Sequence, residues 1–259
     1  MKRRVSKKNL ETSRRTVALL NESTPFAVKE AYKAARTNLM FMFAEHDQKC
    51  VSVTSSFPGE GKTTTCANLA LSFAQIGAKT MVIDADLRKP RMHRMFGTSA
   101  TPGVSDVLGG FAKPEEAIYK TQYENLFLMP AGTIPPNPAE LLSSQSMQQL
   151  IRDLTEKYGF EYVFVDTPPI NLVTDAAVVS QSLAGSVVVV KSGETNKESL
   201  KSAVLALEQA GINVLGFVLN NISADRYSNK YGYQRGAYKR DYQYGYYGES
   251  SPERKGSGK

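Results

Sequence analysis

The chain has 259 residues, 41% of them hydrophobic, with 32 Lys or Arg against 25 Asp or Glu and a formal net charge of +7. That length suits one large α/β domain with polar ends, and two cysteines, Cys50 and Cys66, are too few for a disulfide-stapled scaffold and read as buried reduced thiols. No run approaches the roughly 18 apolar residues of a membrane span, and the basic residues are spread over both termini with no nucleic-acid reading motif.

The first fifteen residues carry Lys2, Arg3, Arg4, Lys7, Lys8, Arg14 and Arg15 against Glu11 alone. This is the charge of a signal-peptide start, but only the short apolar run 16–20 follows, so the chain is expected to be cytoplasmic. Residues 1–25 then form a basic flexible arm that leans on the inner face of the cell membrane, each Lys or Arg near an anionic leaflet contributing about 1 kcal/mol. After Thr24-Pro25, the spacing of Ala27, Ala31, Ala34, Ala35, Leu39 and Met42 predicts a helix over 26–43. From residue 51, short β-branched runs (51–54, 80–83, 126–129, 162–165, 186–190 and 214–219) alternate with helical stretches. The pattern predicts an α/β fold: a mostly parallel sheet with helices on both faces, spanning 26–221, with the Pro- and Gly-containing stretch 130–138 as an internal loop.

Ser56-Phe57-Pro58-Gly59-Glu60-Gly61-Lys62-Thr63 stands between a predicted strand and a helix predicted over 64–76. It matches the phosphate loop G-x-x-x-x-G-K-[ST], with Ser56 in place of the first glycine. In a P-loop NTPase-like fold the backbone N–H groups from Gly59 to Thr64, beside Pro58, and the positive helix end converge on ATP phosphates, Lys62 reaches the β- and γ-phosphates, and Thr63 binds Mg²⁺. Two acidic partners follow. Ile83-Asp84-Ala85-Asp86 carries an apolar strand straight into two carboxylates, and Val163-Phe164-Val165-Asp166 ends a second strand in the Walker B manner. Asn220 and Asn221, after the last strand, are a candidate adenine contact or a turn.

Beyond 222 the chain is polar and glycine-punctuated, with eight of its thirteen tyrosines: Tyr227, Tyr231, Tyr233, Tyr238, Tyr242, Tyr244, Tyr246 and Tyr247. It lacks the aliphatic residues that bury a core, so these hydroxyls are expected to be accessible on a flexible tail. Set beside an ATP-phosphate site, the cluster suggests a kinase carrying its own substrate; an aromatic association tail is the other reading. Eight Lys or Arg against four acidic residues give the segment 222–259 a net charge of +4, which about three phosphotyrosines reverse. A cationic tail is expected to be drawn to acidic, ATP-bearing sites and a phosphorylated one to be repelled.

These residues resemble the bacterial tyrosine kinases of capsule and exopolysaccharide systems, in the stand-alone cytoplasmic form of Gram-positive bacteria. The likeness rests on the Pro58–Thr63 loop, the extra acidic motif from Ile83 to Pro90, Val165-Asp166-Thr167-Pro168-Pro169 and the terminal tyrosines. It also covers Thr101-Pro102-Gly103-Val104-Ser105-Asp106 and Pro136-Asn137-Pro138-Ala139-Glu140. The resemblance implies that Asp84 activates the acceptor tyrosine while Asp86 and Asp166 serve Mg²⁺, a division that spacing alone does not give, and that Lys62, Asp84 and Asp86 are catalytic. It also implies autophosphorylation of the tail, protein substrates, a homo-oligomeric ring, a transmembrane activator whose cytoplasmic segment completes the nucleotide site, and a cognate tyrosine phosphatase. The family's ring motif E-x-x-R-x-x-R appears as Glu30, Lys33 and Arg36, where Lys33 keeps the charge but loses the guanidinium fork.

A ParA/MinD-like ATPase, which switches and positions cargo without phosphorylating it, shares the sheet, the loop and the Walker B strand. Its signature lysine, five residues before the loop lysine, is Phe57 here.

Overall fold

The computed structural model describes residues 19–222 apart from 45 and 47. The basic arm before residue 19 and the eight tail tyrosines lie outside the described residues. The chain divides into a unit ending at Asn220 and a second one from Asn221 onward.

The first unit opens with helix α1 (Phe26–Phe43), followed by β1 (Cys50–Ser55), α2 (Lys62–Ala74) and β2 (Thr80–Asp84). Three short helices, α3 (Met92–Phe96), α4 (Val104–Leu108) and α5 (Pro114–Ala117), lead to β3 (Tyr119–Lys120) and β4 (Leu126–Met129). Next come α6 (Pro138–Leu142), α7 (Gln145–Glu156), β5 (Tyr162–Asp166), α8 (Asp175–Ser180), β6 (Gly185–Lys191), α9 (Lys197–Gln209) and β7 (Val214–Asn220). The strands form one seven-stranded sheet in the order β3-β4-β2-β5-β1-β6-β7, parallel except where β3 meets β4.

Strands β1, β2 and β5 are buried along their whole length, which is why they read as short continuous runs without polar alternation. Period two still decides which face each residue serves. On β5, Tyr162 and Phe164 join the cluster under α1 and α2, while Val163 and Val165 join the one under α7. Helix α7 buries Met147, Leu150, Ile151 and Leu154, the i, i+3, i+4, i+7 stripe of an amphipathic helix. Helix α1 is anchored by Leu39 and Phe43, the latter against Phe73 at 6.4 Å and Tyr162 at 5.7 Å between ring centroids. Cys50 and Cys66 are both free and buried.

Six of the strands fall where the β-branched runs predict them. The pattern misses β3, a two-residue antiparallel edge too short to leave a period, and it assigns to a loop the proline that opens α6. Helix α2 begins at Lys62, two residues before the predicted start, because the phosphate loop delivers its lysine on the first helical turn. Among the described residues no helix is long and apolar enough to cross a membrane.

Strand order fixes the position of the site. From β1 the chain moves to β2, runs out to the edge strand β3, comes back to β4 between β3 and β2, returns to β5 between β2 and β1, and then builds β6 and β7 on the other side. The carboxyl ends of β1, β2 and β5 therefore open on one crevice at the point where the winding reverses.

Candidate active site

The loop between β1 and α2 is built around two glycines whose backbones L side chains rarely adopt, Gly59 at φ 85 and Gly61 at φ 97. Space also excludes a side chain at Gly61, where a Cβ would lie 2.1 Å from Nδ2 of Asn220. The Glu60 carboxylate folds back to accept the Phe57 N–H at 3.0 Å and takes the Thr195 hydroxyl at 2.5 Å. Its backbone carbonyl accepts the Asn220 amide at 2.9 Å. The turn after β6 is tied in as well, since Lys191 N–H donates to Thr195 Oγ1 and Ser192 N–H to the Asn220 carbonyl, both at 2.9 Å.

Lys62 points its ammonium into the strand ends: 2.9 Å from Asp86 Oδ2, 3.3 and 3.4 Å from the two oxygens of Asp166, and 3.3 Å from Thr63 Oγ1. Thr63 Oγ1 in turn donates to Asp166 Oδ2 at 2.7 Å. The Lys62 ammonium thus balances two buried carboxylates, whose charge holds a cation strongly in a site this dry. Burial works against the charged lysine, but Asp166 and Asp86 outweigh it and hold Lys62 above its ordinary range.

Asp84 and Asp166 are direct register partners on β2 and β5, so two carboxylates face the crevice side by side. Asp84 is fully buried. Its Oδ2 accepts the N–H groups of Arg91 at 2.9 Å and Met92 at 3.0 Å, while its Oδ1 has no partner. Burial, then the neighbouring Asp166, pushes the Asp84 carboxyl up to about 7, against the opposing pull of those two N–H groups and Lys62. Ser56 Oγ is a second buried polar atom without a partner.

Among the described residues no group of three or more His, Cys, Asp or Glu is arranged to hold a metal by itself. The donors that do converge, the Thr63 hydroxyl with Asp86 and Asp166, already surround a cation in the form of the Lys62 ammonium. One hydroxyl and two carboxylates suit Mg²⁺, which keeps waters and shares phosphate oxygens rather than occupying an all-protein cage.

Of the predicted site residues, the loop from Ser56 to Thr64, the three aspartates and Asn220 come together; Asn220 reaches the loop itself, at Glu60 and Gly61. Asn221 follows with φ 60 in the left-handed region. Glu30, Lys33 and Arg36 do not form one exposed stripe. Glu30 and Lys33 pair at 2.7 Å on the surface, while Arg36 turns inward to donate to the Ser72 carbonyl near the end of α2, also at 2.7 Å. Thr195 has no signal in the sequence because it meets Glu60 across 135 residues. The Arg88 guanidinium, held by Asp175 through bonds of 2.8 and 3.0 Å, is missed for the same reason.

The family model ParA, described as an NUBPL iron-transfer P-loop NTPase, matches residues 47–235. Tyrosine-protein kinase YwqD of Bacillus subtilis (strain 168) is 42% identical over 204 residues, covering 79% of this chain and 85% of its own length. The putative tyrosine-protein kinase CapB of Staphylococcus aureus is 37% identical over 206 residues, covering 80% of this chain and 90% of its own. Among solved structures, the kinase domain of the Escherichia coli tyrosine kinase ETK superposes with a TM-score of 0.73 at 32% identity, over 82% of this chain and 86% of that one. MinD of Pyrococcus horikoshii shares the frame more loosely, with a TM-score of 0.57 and 25% identity over 70% of this chain and 76% of its own. Within the wider group of P-loop NTPases that share this sheet and loop, the chain belongs to the bacterial tyrosine-protein kinases.

Proposed function

We propose that this kinase transfers the γ-phosphoryl group of ATP, with Mg²⁺, to the tyrosines of its own C-terminal cluster on a neighbouring copy, and so regulates capsular or exopolysaccharide synthesis. The observation that carries the proposal is the buried, partnerless Asp84 Oδ1 beside the Lys62, Asp86 and Asp166 group: an acceptor for a proton at the edge of a phosphate and cation site. The named function of YwqD and CapB supports the same reading.

In this mechanism the loop from Ser56 to Thr64 cradles the phosphates, and Lys62 follows charge onto the transferring group as it leaves its carboxylates. Thr63, Asp86 and Asp166 hold Mg²⁺, which neutralises phosphate charge when bound. Asp84 takes the proton of the tyrosine hydroxyl as that oxygen attacks and the bond to ADP breaks; free tyrosine, with a pKa of about 10, is not ionised beforehand. Asn220 braces the loop beside the nucleotide. The kinase domain spans 26–221 and the tail 222–259. A ring of copies, a transmembrane activator supplying a cytoplasmic segment, a cognate phosphatase and recruitment to the inner membrane face complete the proposal.

The test is incubation of the purified chain with labelled ATP and Mg²⁺, with and without such a segment, followed by phosphosite mapping. Label is expected on the tail tyrosines and none is expected in Lys62→Met. Release of inorganic phosphate with no phosphotyrosine under either condition would make the protein a MinD-like switch instead.

A further inference from the structure

We propose that Arg91 and Arg94, with Lys89 beside them, form an anion subsite next to Asp84 that binds a phosphotyrosine two residues from the acceptor, so that each transfer favours the next. The proposal rests on Asp84 receiving the acceptor hydroxyl, as argued above.

The segment after β2 is fastened to the reacting carboxylates by its backbone. Lys89 N–H donates to Asp86 Oδ1 at 3.1 Å, and Arg91 N–H donates to Asp84 Oδ2 at 2.9 Å. Met92 and Phe96 are buried beneath α3, and Arg94 lies one turn after Arg91, its N–H bonded to the Arg91 carbonyl at 3.2 Å. Arg91 and Arg94 therefore project from neighbouring positions of one exposed face, on a segment whose backbone touches the Asp84 carboxyl. Arg88, in the same run, is occupied by Asp175. Lys89, Arg91 and Arg94 are exposed, and none of them has an acidic partner among the described residues.

Two guanidinium forks and an ammonium match the charge and oxygen geometry of a phosphate dianion. The tail that must enter here carries +4 before modification, so this rim disfavours the unmodified segment, whereas each phosphate, at about −1.5 to −2, gives it a local anionic group that the rim can hold. That reverses the expectation of a cationic tail drawn to an acidic crevice. The aspartates are buried and set against Lys62, and the charge exposed beside them is positive.

Spacing supports the same ligand. In an extended chain residues i and i+2 face the same way, roughly 6.6 Å apart. Tyr231 and Tyr233 stand at this interval, as do Tyr242, Tyr244 and Tyr246. The proposal places one ring of such a pair at Asp84 and the phosphate of the other on the Arg91 and Arg94 face.

The experiment uses the full chain with its eight tail tyrosines changed to phenylalanine, and peptides of residues 240–248 in which Tyr242→Phe and Tyr247→Phe leave Tyr244 as acceptor. Position 246 carries phenylalanine, glutamate or phosphotyrosine. In the otherwise unaltered enzyme, kcat/KM for the phosphotyrosyl peptide is expected to exceed that for the phenylalanine peptide by about tenfold, with glutamate between them and the ratio shrinking as salt rises. Arg91→Glu with Arg94→Glu should bring the ratio below one, whereas Arg91→Lys with Arg94→Lys should keep part of the preference, a pattern that mere damage to the fold does not produce. A ratio near one without the arginine changes, or an unchanged ratio in the double glutamate variant, would overturn the proposal. Binding of the fluorescent phosphotyrosyl peptide to a Lys62→Met chain separates the subsite from the reaction. Tight binding without transfer in the active enzyme sinks the kinase reading and keeps the subsite; no preference in binding sinks the subsite alone. Displacement of the phosphopeptide by an equally charged single-stranded oligonucleotide at lower concentration would assign the patch to nucleic acid.

Discussion

Glu60 offers the sharpest test of how the phosphate loop is held. Its carboxylate is almost fully buried and its two oxygens do different jobs, one closing the loop on the Phe57 N–H and the other gripping Thr195 in the turn after β6. Glu60→Ala would leave both donors without this acceptor. A buried donor left unsatisfied costs about 1–3 kcal/mol, and because both contacts are only part-buried the pair should come to about 2–4 kcal/mol. The loss is local, since no core side chain moves, and it falls on the closed form of the loop that binds phosphate. At about 1.4 kcal/mol per tenfold, ATP affinity should drop by about ten- to a hundredfold, the remainder of the loss appearing as lower stability of the free protein.

Glu60→Gln separates shape from charge. The amide oxygen can still accept the Phe57 N–H and the amide nitrogen can donate to Thr195 Oγ1, while a negative charge beside the phosphates disappears. Its affinity for ATP should equal or exceed that of the unaltered protein. Calorimetric titration with ATP and Mg²⁺, alongside thermal unfolding without nucleotide, gives both quantities. If Glu60→Ala bound ATP as tightly as the unaltered chain, or if Glu60→Gln were the weaker of the two, the loop would not depend on this clamp.

Glu60 also marks the boundary of what the sequence makes legible. The loop pattern places it among the phosphate-binding residues on account of its backbone, and that follows from local order: strand, glycines, lysine, helix. The use of its side chain depends on Thr195, and its carbonyl is met by Asn220; both reach it only because β6 and β7 lie beyond β1 in the sheet. The aspartates are legible for the opposite reason. Asp84 and Asp166 end apolar strands and Asp86 follows Asp84 by two residues, and in a parallel sheet all such ends share one edge, so no pairing has to be known for the three to converge. Their division of labour is not legible, because it turns on hydrogen bonds: Asp84 held by Arg91 and Met92, Asp86 and Asp166 by Lys62. The partners of Glu30, Lys33 and Arg36 are not legible either. Spacing three apart puts the residues on neighbouring turns, but a long arginine goes where an acceptor is, here the end of α2.

Asp84→Asn should lower the rate of transfer by two or more orders of magnitude while changing nucleotide affinity little, since general-base help is worth about 10²–10⁴-fold; rapid-quench rates set against ATP titration test it, and a loss confined to Mg²⁺-ATP affinity would move Asp84 to the metal's ligands. Gly61→Ala should abolish ATP binding, because the new Cβ both strains a φ of 97 and meets the Asn220 amide at 2.1 Å; a folded, ATP-binding variant would show that the loop relaxes. Burial pushes the Cys50 thiol up to about 12 and Cys66 well above its ordinary value, so neither should react with a disulfide reagent until the protein unfolds. With both folded values raised, their contribution to stability is complete below the unfolded thiol pKa of about 8.5 and declines as pH climbs toward 12, which unfolding midpoints across that window would register. The last prediction concerns Arg88, whose guanidinium grips Asp175, fully buried at the start of α8, while remaining 42% exposed itself. Arg88→Met strands that carboxylate, and the arginine's exposure, which lets water reach the site, holds the expected loss of stability to about 1–3 kcal/mol. Removing the stranded charge as well, in Arg88→Met with Asp175→Leu, should recover part of it; a double variant less stable than Arg88→Met by the full amount of the single Asp175→Leu change would mean that the two side chains act independently.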